Sequence, residues 1–265
     1  MQQQQQLRQL GYPAKLFLYA VMFIGTVIGM KYVVEIRLPD GGRPPYLFLV
    51  WNTFLAWIPA GLAIGLDLIS LMSSRLLKGI LFLSVGLVWF FFYPNAAYLV
   101  TDLLHPFARY PISSQGRFWS DMLFWDHLYT VLFVALLGLA LGSVSLASVH
   151  RLVRNALGSV AGWIFAFAVL AFSSFGVYLG RFIRFNSWDI LRHPFQLLKD
   201  IAVYFTNMDN LSHAIQFCKW MFLITCFCYV LLYLFGAMRG NPASIQKEKE
   251  HGETSAFPAR KPGSI

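Results

Sequence analysis

The sequence predicts an all-α fold, a polytopic transmembrane helical bundle of about six spans with a short interfacial amphipathic helix before the last span. Apolar residues make up 57% of the 265 residues and charged residues only 12%, whereas soluble domains are about 25% charged. Apolar stretches of about 20 residues, long enough to cross a bilayer, recur along the chain. Helices satisfy their own backbone groups in lipid, so they are the expected form of each span.

The chain divides into three predicted parts. Residues 1–13, with five consecutive glutamines, are expected to be a disordered tail. Residues 14–238 form the transmembrane domain, and residues 239–265 a charged, disordered C-terminal tail. No small-residue cleavage signature follows the first apolar run, so we expect a retained span and not a signal peptide. The predicted spans are residues 14–34, 46–71, 79–100, 121–148, 157–179 and 214–238.

Polar connections separate these spans. Residues 40–45 read Asp-Gly-Gly-Arg-Pro-Pro, a strong turn signal. Short basic turns are predicted at residues 73–78 and 150–154, and a long polar connection at residues 180–213. Within that connection, residues 194–205 show amphipathic helical spacing, which suits either the membrane interface or a packed loop helix.

Charge and cysteine content limit the function classes. The formal charge is +9, but the basic residues are spread over loops and the tail, which argues against nucleic acid as a partner. The three cysteines lie in or beside the last apolar run, where they are expected to be small buried residues. Lys and Arg numbers on the two sides are nearly equal. Because the two basic turns lack acidic residues, we expect both termini to be cytoplasmic.

A polar stripe closes the third span. Asn95, Tyr98, Asp102 and His105 are three, four and three residues apart, which places them on one face of a continuous helix. Pro94 is expected to kink the helix at the start of the stripe. Polar groups in a membrane span are costly and usually face a cavity or a partner.

The alternation of spans brings further polar residues to the same membrane face. Asn52 opens the second span, Asp121 opens the fourth, and Arg181 closes the fifth. We therefore predict a polar cleft at this face. Its candidate residues are Asn52, Asn95, Tyr98, Asp102, His105, Asp121, Arg181, Arg184 and Asp189.

Two chemistries fit these residue types. Arg181 and Arg184, spaced for one helical face together with Trp188, suit a phosphate or carboxylate. Asp102 and His105 suit proton transfer. Alternatively, Arg181 and an aspartate neutralise each other and lock two helices, and Asp102 and His105 form a hydrogen-bonded pair without chemistry.

Metal binding is a weaker alternative. It would add Asp121 and His127 to Asp102 and His105, but Asp121 and His127 are six residues apart and lie on different helical faces. We therefore predict no metal site, and the pattern identifies no cofactor. Near the other end of the second span, Asp67 is expected to be structural, with Arg75 as its partner.

Glycine pairs spaced four residues apart occur in five places: Gly25/Gly29, Gly61/Gly65, Gly138/Gly142, Gly158/Gly162 and Gly176/Gly180. Such pairs allow helices to approach closely within one bundle. The same pairs are also compatible with a homo-oligomer.

Three motifs carry a resemblance to a known family. They lie at residues 48–59, with Trp51-Asn52, at residues 93–105, and at residues 180–189, Gly-Arg-Phe-Ile-Arg-Phe-Asn-Ser-Trp-Asp. Over about residues 46–238 the chain resembles a bacterial family of multi-pass membrane proteins catalogued only as a domain of unknown function. Ala97 and Ser120 depart from the family pattern, in place of a proline and an aromatic residue. The resemblance implies a bacterial cytoplasmic membrane and this architecture, and no mechanism.

Three functional hypotheses remain open. The first is a membrane enzyme acting on an anionic or lipid-linked substrate, with His105 and Asp102 catalytic and the other cleft residues binding the substrate. The second is a ligand-binding or transport protein, and the third a scaffold subunit that docks another membrane protein. The expected partners are the lipid bilayer and an anionic or lipid-linked ligand, with a homo-oligomer or a second membrane protein as alternatives.

Overall fold

The fold is helical, as predicted. A computed structural model describes residues 5, 7–8, 10–110, 118–184 and 194–238. Six helical segments among these residues are long and apolar enough to cross a membrane, and the described part contains no strand. The chain divides into two units, residues 1–229 and 230–265. The predicted domain boundaries stay predictions, since residues 239–265 lie outside the described ranges.

Nine α-helices follow one another along the described chain. Their bounds are α1 Ala14–Glu35, α2 Phe48–Ser70, α3 Arg75–Phe92, α4 Pro94–Tyr98, α5 His105–Arg109, α6 Met122–Leu157, α7 Ser159–Tyr178, α8 Pro194–Tyr204 and α9 Met208–Met238. Two 3₁₀ segments, Leu99–Leu104 and Phe118–Ser120, and one π turn, Leu179–Ile183, complete the structure. The short helix α8 confirms the predicted helix before the last span.

The third span is segmented, so its four polar residues do not lie on one continuous helix. Pro94 is the first residue of α4, a position where its missing N–H costs nothing. The chain then tightens into the 3₁₀ segment Leu99–Leu104, and α5 begins at His105 with Pro106 in its first turn. A 3₁₀ helix has three residues per turn, so it rotates Asp102 and His105 relative to Asn95.

The prediction of a second basic turn at residues 150–154 is wrong, because α6 continues through these residues. This sequence contains neither glycine nor proline. The helix ends at Gly158, whose φ of 92° is a conformation that favours glycine. The predicted span of residues 121–148 is therefore part of a helix of 36 residues.

The core of residues 1–229 forms around α6, which packs against α1, α2 and α7. Close backbone approach explains some of the glycines. A Cβ added at Gly138 of α6 would lie 2.5 Å from the carbonyl oxygen of Ala96, and one at Gly176 of α7 would lie 2.7 Å from Cγ of Pro94. By contrast, nothing lies within 4 Å of the Cβ position at Gly61 or Gly65. Helix contact within the bundle therefore accounts for some of the predicted glycine pairs, and the pair on α2 has no such contact.

Asp67 has a different partner from the one expected. Its buried carboxylate Oδ2 lies 2.6 Å from Nζ of Lys15 and accepts a hydrogen bond of 3.2 Å from the hydroxyl of Tyr12. The expectation of an Asp67–Arg75 pair is wrong, because α1 begins at the membrane face where α2 ends. Lys15 thus neutralises a carboxylate that would otherwise be an unpaired buried charge.

Candidate functional site

Asp102 is the centre of the polar face. Its side chain is 1% exposed, and its partners come from other spans. Asn52, in the first turns of α2, donates a hydrogen bond of 3.0 Å from Nδ2 to Oδ2 of Asp102. Arg181, in the π turn after α7, places a guanidinium nitrogen 3.6 Å from Oδ1. The structure therefore brings together residues that the alternation of spans predicts at one face.

His105 completes this group. Its Nδ1 lies 3.1 Å from the backbone carbonyl oxygen of Asp102 and 3.5 Å from Oδ1 of the same residue. Both oxygens are acceptors, so Nδ1 carries the hydrogen, and in the neutral ring Nε2 keeps a free lone pair. Pro106 contributes to this arrangement, since it has no N–H to bond the carbonyl of Asp102 four residues earlier. We call Asn52, Asp102, His105 and Arg181 the Asp102 cluster.

A second arginine lies beside the cluster and was not predicted. Arg109 donates a hydrogen bond of 2.5 Å to the carbonyl of Pro45, and its guanidinium lies 5.4 Å from the ring centroid of Phe48. The Phe48 ring in turn lies 4.5 Å from that of His105. Arg109 follows His105 by four residues, and that helical spacing was the available signal.

The charges around His105 favour an anion. The Arg181–Asp102 distance of 3.6 Å exceeds that of an N–H···O hydrogen bond. A guanidinium carries five N–H donors, so this ion pair leaves donors of Arg181 for a ligand. The side chain of Arg181 is 23% exposed. Arg181 does pair with an aspartate, Asp102, as the alternative interpretation expected. Arg109 adds a second positive charge, which Asp102 does not balance.

The local backbone explains why Arg181 and Arg184 differ. The end of α7 widens into the π turn Leu179–Ile183, a feature that is frequent at functional sites. Arg184 follows with a φ of 65°, in the left-handed conformation that ends the helix. Arg181 and Arg184 would share a helical face only if the helix continued, and it ends at Arg184. Arg184 is exposed, and Trp188 and Asp189 lie outside the described residues.

Other candidate residues lie apart from Asp102 or have structural partners. Asn95 donates a hydrogen bond of 2.9 Å to the carbonyl of Phe92. Tyr98 packs against a small apolar cluster that includes Val177. Asp121 caps α6, because its Oδ1 accepts a hydrogen bond of 3.0 Å from the N–H of Leu123.

Asp121 also accepts a hydrogen bond from the hydroxyl of Tyr110. Tyr110 lies just beyond the third span, and its ring packs near that of His127. Burial, followed by the bond to Asp121, raises the pKa of Tyr110 to about 12. Asp121 therefore joins the loop after α5 to the start of α6.

His127 is fully buried and uses both ring nitrogens. Nε2 lies 3.0 Å from the carbonyl oxygen of Arg37, an acceptor, so Nε2 carries the hydrogen. Nδ1 then accepts a hydrogen bond of 2.7 Å from the hydroxyl of Tyr46. This arrangement leaves neither nitrogen for a metal. Over the described ranges, no three His, Cys, Asp or Glu side chains gather in a way that could hold a metal ion.

Comparison with known proteins agrees with the resemblance of the three motifs. No curated protein and no solved structure matches the chain. A family model does match, over residues 51–235, which include Asn52, the segmented third span and the π turn with Arg181. The chain belongs to the family described as "Protein of unknown function (DUF1361)", and its six apolar helices make it a multi-pass integral membrane protein.

Proposed function

We propose that this protein is a membrane enzyme that acts on an anionic, lipid-linked substrate at the Asp102 cluster. We place it in a bacterial cytoplasmic membrane with both termini cytoplasmic, which the resemblance and the acid-free turn at residues 73–78 support. The observation that carries the proposal is the convergence of three spans on the carboxylate of Asp102, which Asn52 and Arg181 approach from two other spans.

Anion binding rests on Arg181 and Arg109. Arg181 keeps guanidinium donors beyond those that face Asp102, and Arg109 has one donor fixed on a backbone carbonyl. Two planar guanidinium groups around His105 suit the oxygens of a phosphate or carboxylate. In this proposal Asp102 orients Arg181 and His105, and Asn52 holds the second carboxylate oxygen.

Proton transfer rests on His105. The hydrogen on Nδ1 is fixed by the carbonyl and carboxylate of Asp102, so Nε2 accepts a proton from the substrate. This is the usual way in which a carboxylate orients a histidine base. The Phe48 ring holds the imidazole from one side.

The apolar surroundings support a lipid-linked substrate. Leu104 and Phe107, on either side of His105, are 61% and 44% exposed, and Trp51 beside Asn52 is 57% exposed. In a membrane these side chains face acyl chains or an aromatic interface layer. A substrate with an apolar anchor would therefore reach the cluster from the bilayer.

The test is native mass spectrometry of the gently solubilised full chain, wild type against His105→Gln. We expect both to carry the same extra mass, with a phosphate or carboxylate in its fragmentation spectrum. Because the variant binds and does not turn over, its occupancy should rise. Equal occupancy in both would instead support a binding or transport protein. A stoichiometric second subunit in place of a small mass would support the scaffold.

A further inference from the structure

A groove between α1 and α6 lies outside the Asp102 cluster. It has a volume of about 870 Å³. Gly29 and Phe133 line it, and a Cβ added at Gly29 would lie 3.2 Å from the Phe133 ring. Ile28 also lines it and is 46% exposed. This end of the groove is apolar and lies along two membrane-spanning helices.

The other end of the groove is charged. It is lined by Glu35 and Arg37, at and just beyond the end of α1, and by Asp126 in the first turns of α6. All three side chains are exposed. Arg37 uses one guanidinium nitrogen on the carbonyls of Val34 and Ile36, and its remaining donors are available to a ligand.

We infer that this groove binds a zwitterionic phospholipid, with its acyl chain along Ile28 and Phe133, its phosphate at Arg37 and its ammonium group at Asp126. We choose a zwitterionic lipid because the charged end of the groove contains both a cation and a carboxylate. Glu35 lies 4.0 Å from Nζ of Lys31, so Asp126 is the carboxylate left for an ammonium group and Arg37 is the cation for a phosphate. An anionic lipid would gain the contact with Arg37 and be repelled by Asp126. This inference does not depend on the Asp102 cluster.

Binding is tested on the delipidated full chain in detergent, by native mass spectrometry with added phosphatidylethanolamine or phosphatidylglycerol of identical acyl chains. The wild type should retain phosphatidylethanolamine about fivefold better, the size expected of one charge contact near a membrane surface. Equal retention of the two lipids would overturn the inference.

Two substitutions locate the site. Ile28→Trp fills the groove and should abolish the preferential retention of phosphatidylethanolamine. Val27→Trp is the matched control, because Val27 is 56% exposed on the same helix and does not line the groove. Equal loss in both variants would overturn the location. Asp126→Asn changes the charge without changing the volume and should bring the two lipids to similar retention, whereas an unchanged preference would contradict the headgroup assignment.

Discussion

Asn52 and Asp102 share a hydrogen bond of 3.0 Å between two spans, and the carboxylate that accepts it is almost wholly buried. Removal of the donor leaves a buried acceptor without its partner, which costs about 1–3 kcal/mol. We therefore expect Asn52→Ala to lower the free energy of unfolding by that amount, as measured by denaturant titration in detergent. An unchanged stability would mean that this bond does not form in the membrane protein.

The pair of Lys15 and Asp67 should behave as a buried ion pair. Asp67→Asn leaves Lys15 without its charge partner, and breaking a buried pair costs about 3–5 kcal/mol. The double variant Lys15→Met/Asp67→Leu should lose less than the single variant, because it leaves no unpaired charge. The control is Glu35→Gln, which breaks an exposed pair with Lys31 and should cost less than about 1 kcal/mol. A loss in the double variant as large as that in Asp67→Asn would contradict this account.

Gly138 and Gly61 are both helical glycines in different surroundings. Gly138→Ala places a methyl group against the backbone of Ala96, and such overpacking costs about 1–3 kcal/mol. Gly61→Ala meets nothing within 4 Å and should stabilise the helix by about 0.5–1 kcal/mol. Thermal unfolding in detergent should shift in opposite directions for the two variants. A loss at Gly61 equal to that at Gly138 would point to an interface at α2.

The raised pKa of Tyr110 predicts how the stability of the protein changes at alkaline pH. Its pKa rises from 10.0 to about 12 in the folded protein, so the unfolded chain loses this proton first. The contribution of Tyr110 is therefore complete below pH 10 and is lost as the pH rises towards about 12. The melting temperature of the wild type should fall over this pH range. The melting temperature of Tyr110→Phe should fall less steeply. Identical slopes in the two proteins would assign the decline to other groups.

The fold followed from local properties of the sequence. The length and apolarity of the six spans, and the alternation that they impose, predicted that Asn52, Asp102, His105 and Arg181 lie at one face. Helix packing plays no part in that prediction, because a span that crosses the bilayer fixes the side on which its ends lie.

Features that depend on packing or on backbone detail were not predictable in the same way. The 3₁₀ segment before His105 and the left-handed Arg184 each change which side chains share a face. The Lys15–Asp67 pair depends on which helices are neighbours, and spacing along the sequence does not contain that information. Arg109 is different, since its spacing from His105 was visible.

The most direct test of the proposed site compares Arg181→Gln with Arg184→Gln by native mass spectrometry of the gently solubilised full chain. The two arginines lie three residues apart, but only Arg181 contacts Asp102 in the structure. We predict an anionic, lipid-sized mass on the wild type and on Arg184→Gln, and its loss from Arg181→Gln. Retention of that mass by Arg181→Gln, or equal loss from both variants, would contradict the assignment of Arg181 to the binding site.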